Sequence, residues 1–488
     1  MALPFLLSFS CTRKNVTPKD TLIVGISAEP ANLDPRFALD ADSQRIDQLI
    51  YDSLIVIDEN LKVAPHLATR WENPAGTLYR FELHQNAKFH DGFPVIAETI
   101  VHNLKKILDP EFQSPYSGSF KNIKSIKAAG AHRLEIRLKE PQASFLTDLS
   151  LIKAVPLLEE KTKDRFTGSG PYQFEKKTTH EIILKRNPLH FKFQPKFEKI
   201  IFKIIKDDHT RLLKLKKGEI DLIQNALPAD ALVHLERDKD LVITKSPGLT
   251  YAYLGFNLKD PILQKKKIRQ AIAHAINRKE IIQHLLQNLA VPAKTLLSPL
   301  NWYYEDRIQS YDYDPQKAKS LLKASGLPSP VTLTYKTSTS PEAIDIARLI
   351  SDHLNRVGFQ VTIQTNEWGT FFKDIQSGNF QLFSLRWVGI TEPDIYYECF
   401  YSSNFPPGKN RVYYQNPKLD KLLEAGKVTL DPIERKKIFS EVQKIVARDL
   451  PYVSLWHLQN VAVYRKTLKN FRFHPQANFL PFMDFLKP

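Results

Sequence analysis

Apolar positions recur with two distinct periods along this chain, and those periods sort it into strands and helices. Thr21–Ile26 (TLIVGI) is a continuous apolar run, consistent with a short buried strand. Ile46, Leu49 and Ile50 then fall at helical spacing. Tyr79, Phe81 and Leu83 alternate with polar residues, the period of a half-buried strand. Asp91-Gly92 supplies a turn, with glycine free to take a positive φ. Ala97, Ile100, Val101, Leu104 and Leu108 follow on one helical face. Leu134, Ile136 and Leu138 alternate until Pro141 stops the strand.

Further on, Ile268, Ala271, Ile272 and Ala275 make a helical stripe, and Asn277 with Glu280 has capping-box spacing for the next helix. Gly326 is placed to end a helix. A strand from Val331, a helix opened by Ser340-Pro341 and closed by Gly358, and the alternating FQVTIQT form a strand–helix–strand unit. That unit predicts an α/β lobe in the second half. No internal repeat or low-complexity tract interrupts the pattern.

Length changes the picture: 488 residues exceed one ordinary core, so two or three domains are expected. With 32 Pro against 17 Gly, fixed loops are expected rather than flexible linkers. No segment approaches the ~20 apolar residues of a membrane span. The two cysteines, Cys11 and Cys399, exclude a disulfide framework and any cysteine-based metal site. His90 has no partner at ligand spacing, so a local packing or hydrogen-bonding role is expected for it.

The formal net charge of +16 is concentrated in residues 185–217 and 259–279. In stretches such as KIIFKIIK the charges interleave with strand positions, where they sit on solvated faces. Attraction to a membrane surface or a partner is the second reading, and nucleic acid the third. No helix-turn-helix, zinc-finger or RNA-binding motif supports the third. HExxH, GxSxG and a phosphate-cradling loop are all missing, since GSGP carries proline where a helix N-terminus would need its amides. No catalytic residue, cofactor or metal is expected.

Several ordered segments resemble one family. Residues 67–110 contain Trp71, a strand ending in Phe81-Glu82-Leu83, the turn KFHDGFP and a helix. Residues 168–174 (GSGPYQF), Arg186-Asn187-Pro188, KKGEIDLI, YLGFNLKDP with IRQAIAHAINRKEI, and YDYDPQKAKSLLKASG follow in order. Together they resemble the family 5 solute-binding proteins, the oligopeptide and dipeptide receptors of ABC importers. The resemblance covers nearly the whole chain from Thr21. It implies an α/β, type II periplasmic-binding-protein clamshell: two lobes plus a small extra domain, closing over a ligand by a hinge motion.

The divisions it implies are an N-terminal signal-like segment over 1–19, a first lobe over 20–64, 166–250 and 460–488, a small domain over 65–165, and a second lobe over 251–459. The chain would cross between lobes at residues 244–257 and again near Val461. The implied partners are a peptide or peptide-like ligand and the permease subunits, with the receptor a monomer and no specific nucleic acid bound. The alternative ligand is a non-peptide solute such as a metal chelate, or an amino-blocked peptide. MALPFLLSFS before Cys11 resembles a lipoprotein signal, although Ser8 and Phe9 depart from its pattern and no basic residue precedes the run. Cys11 is therefore expected to be lipidated and to anchor the chain outside the cytoplasmic membrane.

The resemblance also places the ligand, which in this family is held largely through its main chain. It implicates Leu39, Asp40 and Ala41 after the LDP segment, Tyr116, Asn257, and Trp387, Val388 and Gly389. One departure bears on ligand choice. Peptide receptors of the family carry an aspartate after that tryptophan strand to pair with the ligand's α-ammonium; this chain reads WVGITEPD, with Ile390 after Gly389. Glu392 or Asp394 would replace the carboxylate only through a re-routed loop. The ligand is then expected to lack a free α-amino group or to bind it elsewhere, and acetylating a peptide should cost under about 1 kcal/mol. A second departure, Ile96 where the family has a threonine N-cap, is expected to cost about 1 kcal/mol of stability.

Overall fold

The computed structural model describes residues 18–157 and 166–487. Cys11 lies outside the described residues. Thr21–Ile26 is buried along its whole length. Its side chains alternate between two cores: Leu22, Val24 and Ile26 enter one, and Ile23 enters another on the opposite face. A strand covered on both faces has no polar side to show, hence the unbroken apolar run. It pairs in parallel with Lys199–Ile204 and Leu222–Gln224. Glu181–Arg186 and Tyr172–Lys177 extend that side of the sheet as antiparallel strands.

Two long strands, Leu241–Phe256 and Tyr452–Arg465, carry this sheet into the second half of the molecule. They pair antiparallel from Leu241↔Arg465 to Gly255↔Tyr452, with a register shift between Pro247 and Thr250. At one end Ala462–Tyr464 pairs with Leu222–Gln224. At the other, Tyr251–Phe256 pairs with Leu382–Trp387. Each long strand therefore belongs to both lobes.

In the second lobe, Val331–Ser338 and Phe359–Asn366 pair in parallel, with the helix Pro341–Asn355 between them in sequence. Its apolar face packs with Leu333, Tyr335 and the helix Lys266–Ala275 in one large core. Asn277 caps the next helix by accepting from the Glu280 amide at 3.2 Å. The Glu280 carboxylate takes the Asn277 side-chain amide at 3.0 Å instead of the backbone donor, which goes to His353 Nδ1 at 3.4 Å.

A separate four-stranded antiparallel sheet is ordered Ala68–Glu72, Leu78–Leu83, Arg133–Leu138, Ile123–Ala128. The helix Ala97–Leu108 packs on it, and Ile96 at its start makes no side-chain cap. Tyr79, Phe81, Leu83, Leu134, Ile136 and Leu138 share one core with Ile100, Val101 and Leu104 of that helix. The turn at 88–94 is locked to the first lobe by His90. Its backbone donates to Gly168 O at 2.8 Å, its Nδ1 accepts from the Gly168 amide at 3.2 Å, and its Nε2 lies 3.0 Å from Gly170 O. Burial pushes the His90 imidazole down to about 4, with the Gly170 carbonyl opposing that shift. Among the described residues no helix is long and apolar enough to cross a membrane.

Candidate functional site: a cleft between two lobes

The helix Ala41–Ile50 forms one wall of the cleft. Asp40 opens it, accepting from the Ser43 amide at 2.9 Å and from the Ala31 amide at 3.3 Å, as an N-cap does. Helical spacing sends Ile46, Leu49 and Ile50 into the core and leaves Ala41, Gln44, Arg45 and Gln48 on the cleft side. Tyr116 is buried beside them; its hydroxyl donates to Ala38 O and accepts from Gln44 Nε2, the latter at 3.2 Å.

The facing wall is the loop that leaves Leu382–Trp387. Val388, Gly389, Thr391 and Glu392 line a cavity of about 310 Å³ together with Ala41, Tyr116 and Asp148. The same loop residues and Asp148 also line an adjoining cavity of about 620 Å³, which reaches Trp387. Both volumes are in the range of small-ligand sites. Gly389 has φ +70° and nothing near its missing Cβ, so glycine serves the left-handed turn and not a close approach. The jaws touch where Thr147 Oγ1 donates to Glu392 Oε1 at 2.6 Å and the Ala143 amide donates to Lys427 O at 2.8 Å.

Ala41, Tyr116, Trp387, Val388, Gly389 and Glu392 are thus brought to the two cavities. Leu39, Asp40 and Asn257 are not. Leu39 is 64% exposed beside the cleft, and the Asp40 carboxylate is used by its helix. Asn257, expected near the cleft, lines neither cavity. Its amide donates to Gly378 O at 3.1 Å and Phe380 O at 2.8 Å, and its Oδ1 accepts from the Lys259 amide at 3.0 Å. Those bonds join the end of the long strand to its neighbour, a structural role.

Ile390, which follows Gly389 where the resemblance implies a carboxylate, is 6% exposed and packs in the apolar core of the second lobe. Both nearby acids are held by the protein. Arg435, buried in the helix Pro432–Asp449, donates through Nη1 to Glu392 Oε2 and through Nη2 to Asp394 Oδ1, each at 2.9 Å. Glu392 is a wall residue whose two oxygens are engaged by Arg435 and Thr147. Burial raises its carboxyl above the ordinary range, and Arg435 offsets that only in part.

Among the wall residues that escaped the sequence reading are Asp47, Gln48, Asp148 and Lys153. Burial pushes the Asp148 carboxyl up to about 7; the Ser144 hydroxyl opposes the shift, and the charges of Glu392 and Asp394 add to it. Burial brings the Lys153 ammonium down to about 8 against the pull of Asp47 and Asp52. One signal was available. In SQRIDQLI an acid stands next to Ile46 and two residues before Leu49, at the edge of the apolar stripe, where a merely solvated charge is out of place.

The sequence profile of bacterial extracellular solute-binding proteins, family 5 (middle region), matches residues 62–407. The chain is 27% identical over 489 aligned residues to the oligopeptide-binding protein AppA of Bacillus subtilis, covering 94% of this chain and 90% of that protein. It is 28% identical to the dipeptide-binding protein of Escherichia coli over 456 residues, 85% of this chain and 84% of the other. The solved structure of Bacillus subtilis AppA in complex with a nonapeptide superposes with a TM-score of 0.81 at 25% identity, covering 96% of this chain and 99% of that one.

Proposed function

The chain belongs to the bacterial extracellular solute-binding proteins, family 5, and we propose that it is the peptide receptor of an ABC importer. It captures short peptides outside the cytoplasmic membrane, in the cleft between its lobes, and passes them to the permease. The family is one of binding receptors, and this chain acts by capture and release without chemistry on its ligand. The observation that carries this is the pair of cavities walled by both jaws, with Ala41 and Tyr116 on one side and Trp387 to Gly389 on the other. Its relatives named for oligopeptides and dipeptides support the ligand class. Native mass spectrometry of the purified protein tests it. Co-purified or added short peptides should appear as a mass increment, and a receptor that holds only non-peptide solute would defeat the reading.

The small domain over 65–165 and the crossings through the two long strands complete the proposed clamshell, which works as a monomer. Cys11 is the proposed lipidation site, holding the receptor at the outer face of the membrane. One acyl chain gives only marginal binding, so two or three are needed. Detergent phase partitioning checks this: the natural protein should enter the detergent phase and Cys11→Ala should stay in the aqueous phase.

A further inference from the structure

Each carboxylate around the smaller cavity but one is held by the protein. Glu392 accepts from Thr147 and Arg435. Asp148 accepts from Ser144 at 3.0 Å and Gln142 at 2.9 Å. Asp47 differs. It lines the same cavity, is 1% exposed, and neither carboxylate oxygen has a hydrogen-bond partner among the described residues. Gln48, the next wall residue, likewise presents a buried Oε1 with no donor. Buried acceptors are nearly always satisfied, and leaving a carboxylate unsatisfied is costly. Two adjacent acceptors without donors are complementary to a group that carries several N–H donors and a positive charge.

We propose that Asp47, assisted by Gln48 Oε1, is the cation-binding subsite of the cleft and takes an alkylammonium of the ligand. The proposal rests on the peptide reading above and deepens it. The family's acid on the second lobe is replaced here by the core residue Ile390, so the anchoring charge sits on the opposite jaw, in the helix Ala41–Ile50. Neighbouring charges fit this role. Arg45 is paired with Asp42 at 3.3 Å, and Lys153 donates to Ser150 O at 3.0 Å while lying close enough to influence Asp47. Burial pushes the Asp47 carboxyl far up, and Lys153 offsets only part of that, so an arriving cation stabilises the charged form that the low-dielectric wall disfavours.

The ammonium has two possible sources, the peptide's N-terminus or a basic side chain, and calorimetry on the whole protein separates them. The probes are tri-alanine against acetyl-tri-alanine, and acetyl-tri-lysine against acetyl-tri-norleucine, on natural and Asp47→Asn proteins. In the natural protein the member of a pair lacking the recognised cation should bind about tenfold more weakly, and in Asp47→Asn the gap should close to below about threefold. A gap in the first pair assigns the N-terminus; a gap only in the second assigns the side chain and preserves the expected indifference to acetylation. Discrimination that survives Asp47→Asn unchanged, or is missing from both pairs in the natural protein, overturns the proposal.

If none of these peptides binds, the peptide reading is what fails. The subsite is then judged by n-butylammonium chloride against sodium chloride at equal ionic strength. A higher Tm in the natural protein alone supports it, and equal behaviour of both proteins overturns it. The ligand-free Asp47→Asn protein should unfold at the same or a higher temperature. A fall would show that Asp47 holds the fold instead and would overturn the subsite.

Discussion

At Gly168 an added Cβ would stand 1.9 Å from the Ile50 carbonyl oxygen, and at Gly170 2.6 Å from the Ile50 carbonyl carbon. Both obstacles are backbone, which cannot rotate aside. Gly168→Ala is expected to lower the unfolding free energy by about 3 kcal/mol, toward the upper end of overpacking costs, as read by urea denaturation. These glycines serve a close approach between segments and not a phosphate, as the proline after them had suggested. Asn257 gives the opposite lesson. Its three bonds are all to backbone, so Asn257→Ala should cost about 2 kcal/mol of stability. Peptide affinity per folded molecule, measured by calorimetry, should not change. A loss of affinity without a loss of stability would return Asn257 to the ligand site.

The loop between Leu382–Trp387 and Ile395–Phe400 takes its course from a residue far along the chain. Arg435 holds Glu392 and Asp394 together and also donates through Nε to Gly426 O at 3.0 Å. Arg435→Met leaves two half-buried carboxylates facing each other, and is expected to destabilise by about 3 kcal/mol at neutral pH. The sign with pH follows from protonation. Glu392 already has a raised carboxyl, and loss of the guanidinium raises it further, so the variant's unfolded chain is the first to give up its protons as pH rises. Its deficit should therefore shrink as pH falls toward 4, and parallel denaturation series at the two pH values check this. A deficit that does not depend on pH would assign the loss to packing around Tyr303 and Phe439 instead of charge.

For the molecule as a whole, the shared sheet sets what can move. The two long strands bind both lobes to one another through backbone hydrogen bonds, and their register breaks between Pro247 and Thr250 and again between Ala252 and Tyr253. Hinge bending is cheapest where ladder bonds are already interrupted. Across the cleft, among the described residues, the jaws are joined by the hydrogen bonds Thr147–Glu392 and Ala143–Lys427. Small-angle scattering should therefore show a more open particle without ligand and compaction on adding peptide. Thr147→Val should shift the ligand-free protein further toward the open form. An unchanged profile with peptide bound would rule out closure as the response.

The local grammar of this chain determined its elements: the strand–helix–strand unit at 331–366, the small sheet with its helix, and the family to which their order belongs. Such features depend on neighbours within a few residues, through side-chain period, capping and turn chemistry, and each leaves a mark in the sequence. Packing between distant segments leaves no such mark, and there the tertiary structure decided. It put Ile390 into a core, tied Glu392 and Asp394 to Arg435, used up Asn257 on backbone carbonyls, and left Asp47 on the cleft wall without a donor. Whether a carboxylate is free to bind is settled by which donors other parts of the chain bring to it. That depends on three-dimensional proximity, which the order of residues along the chain does not display.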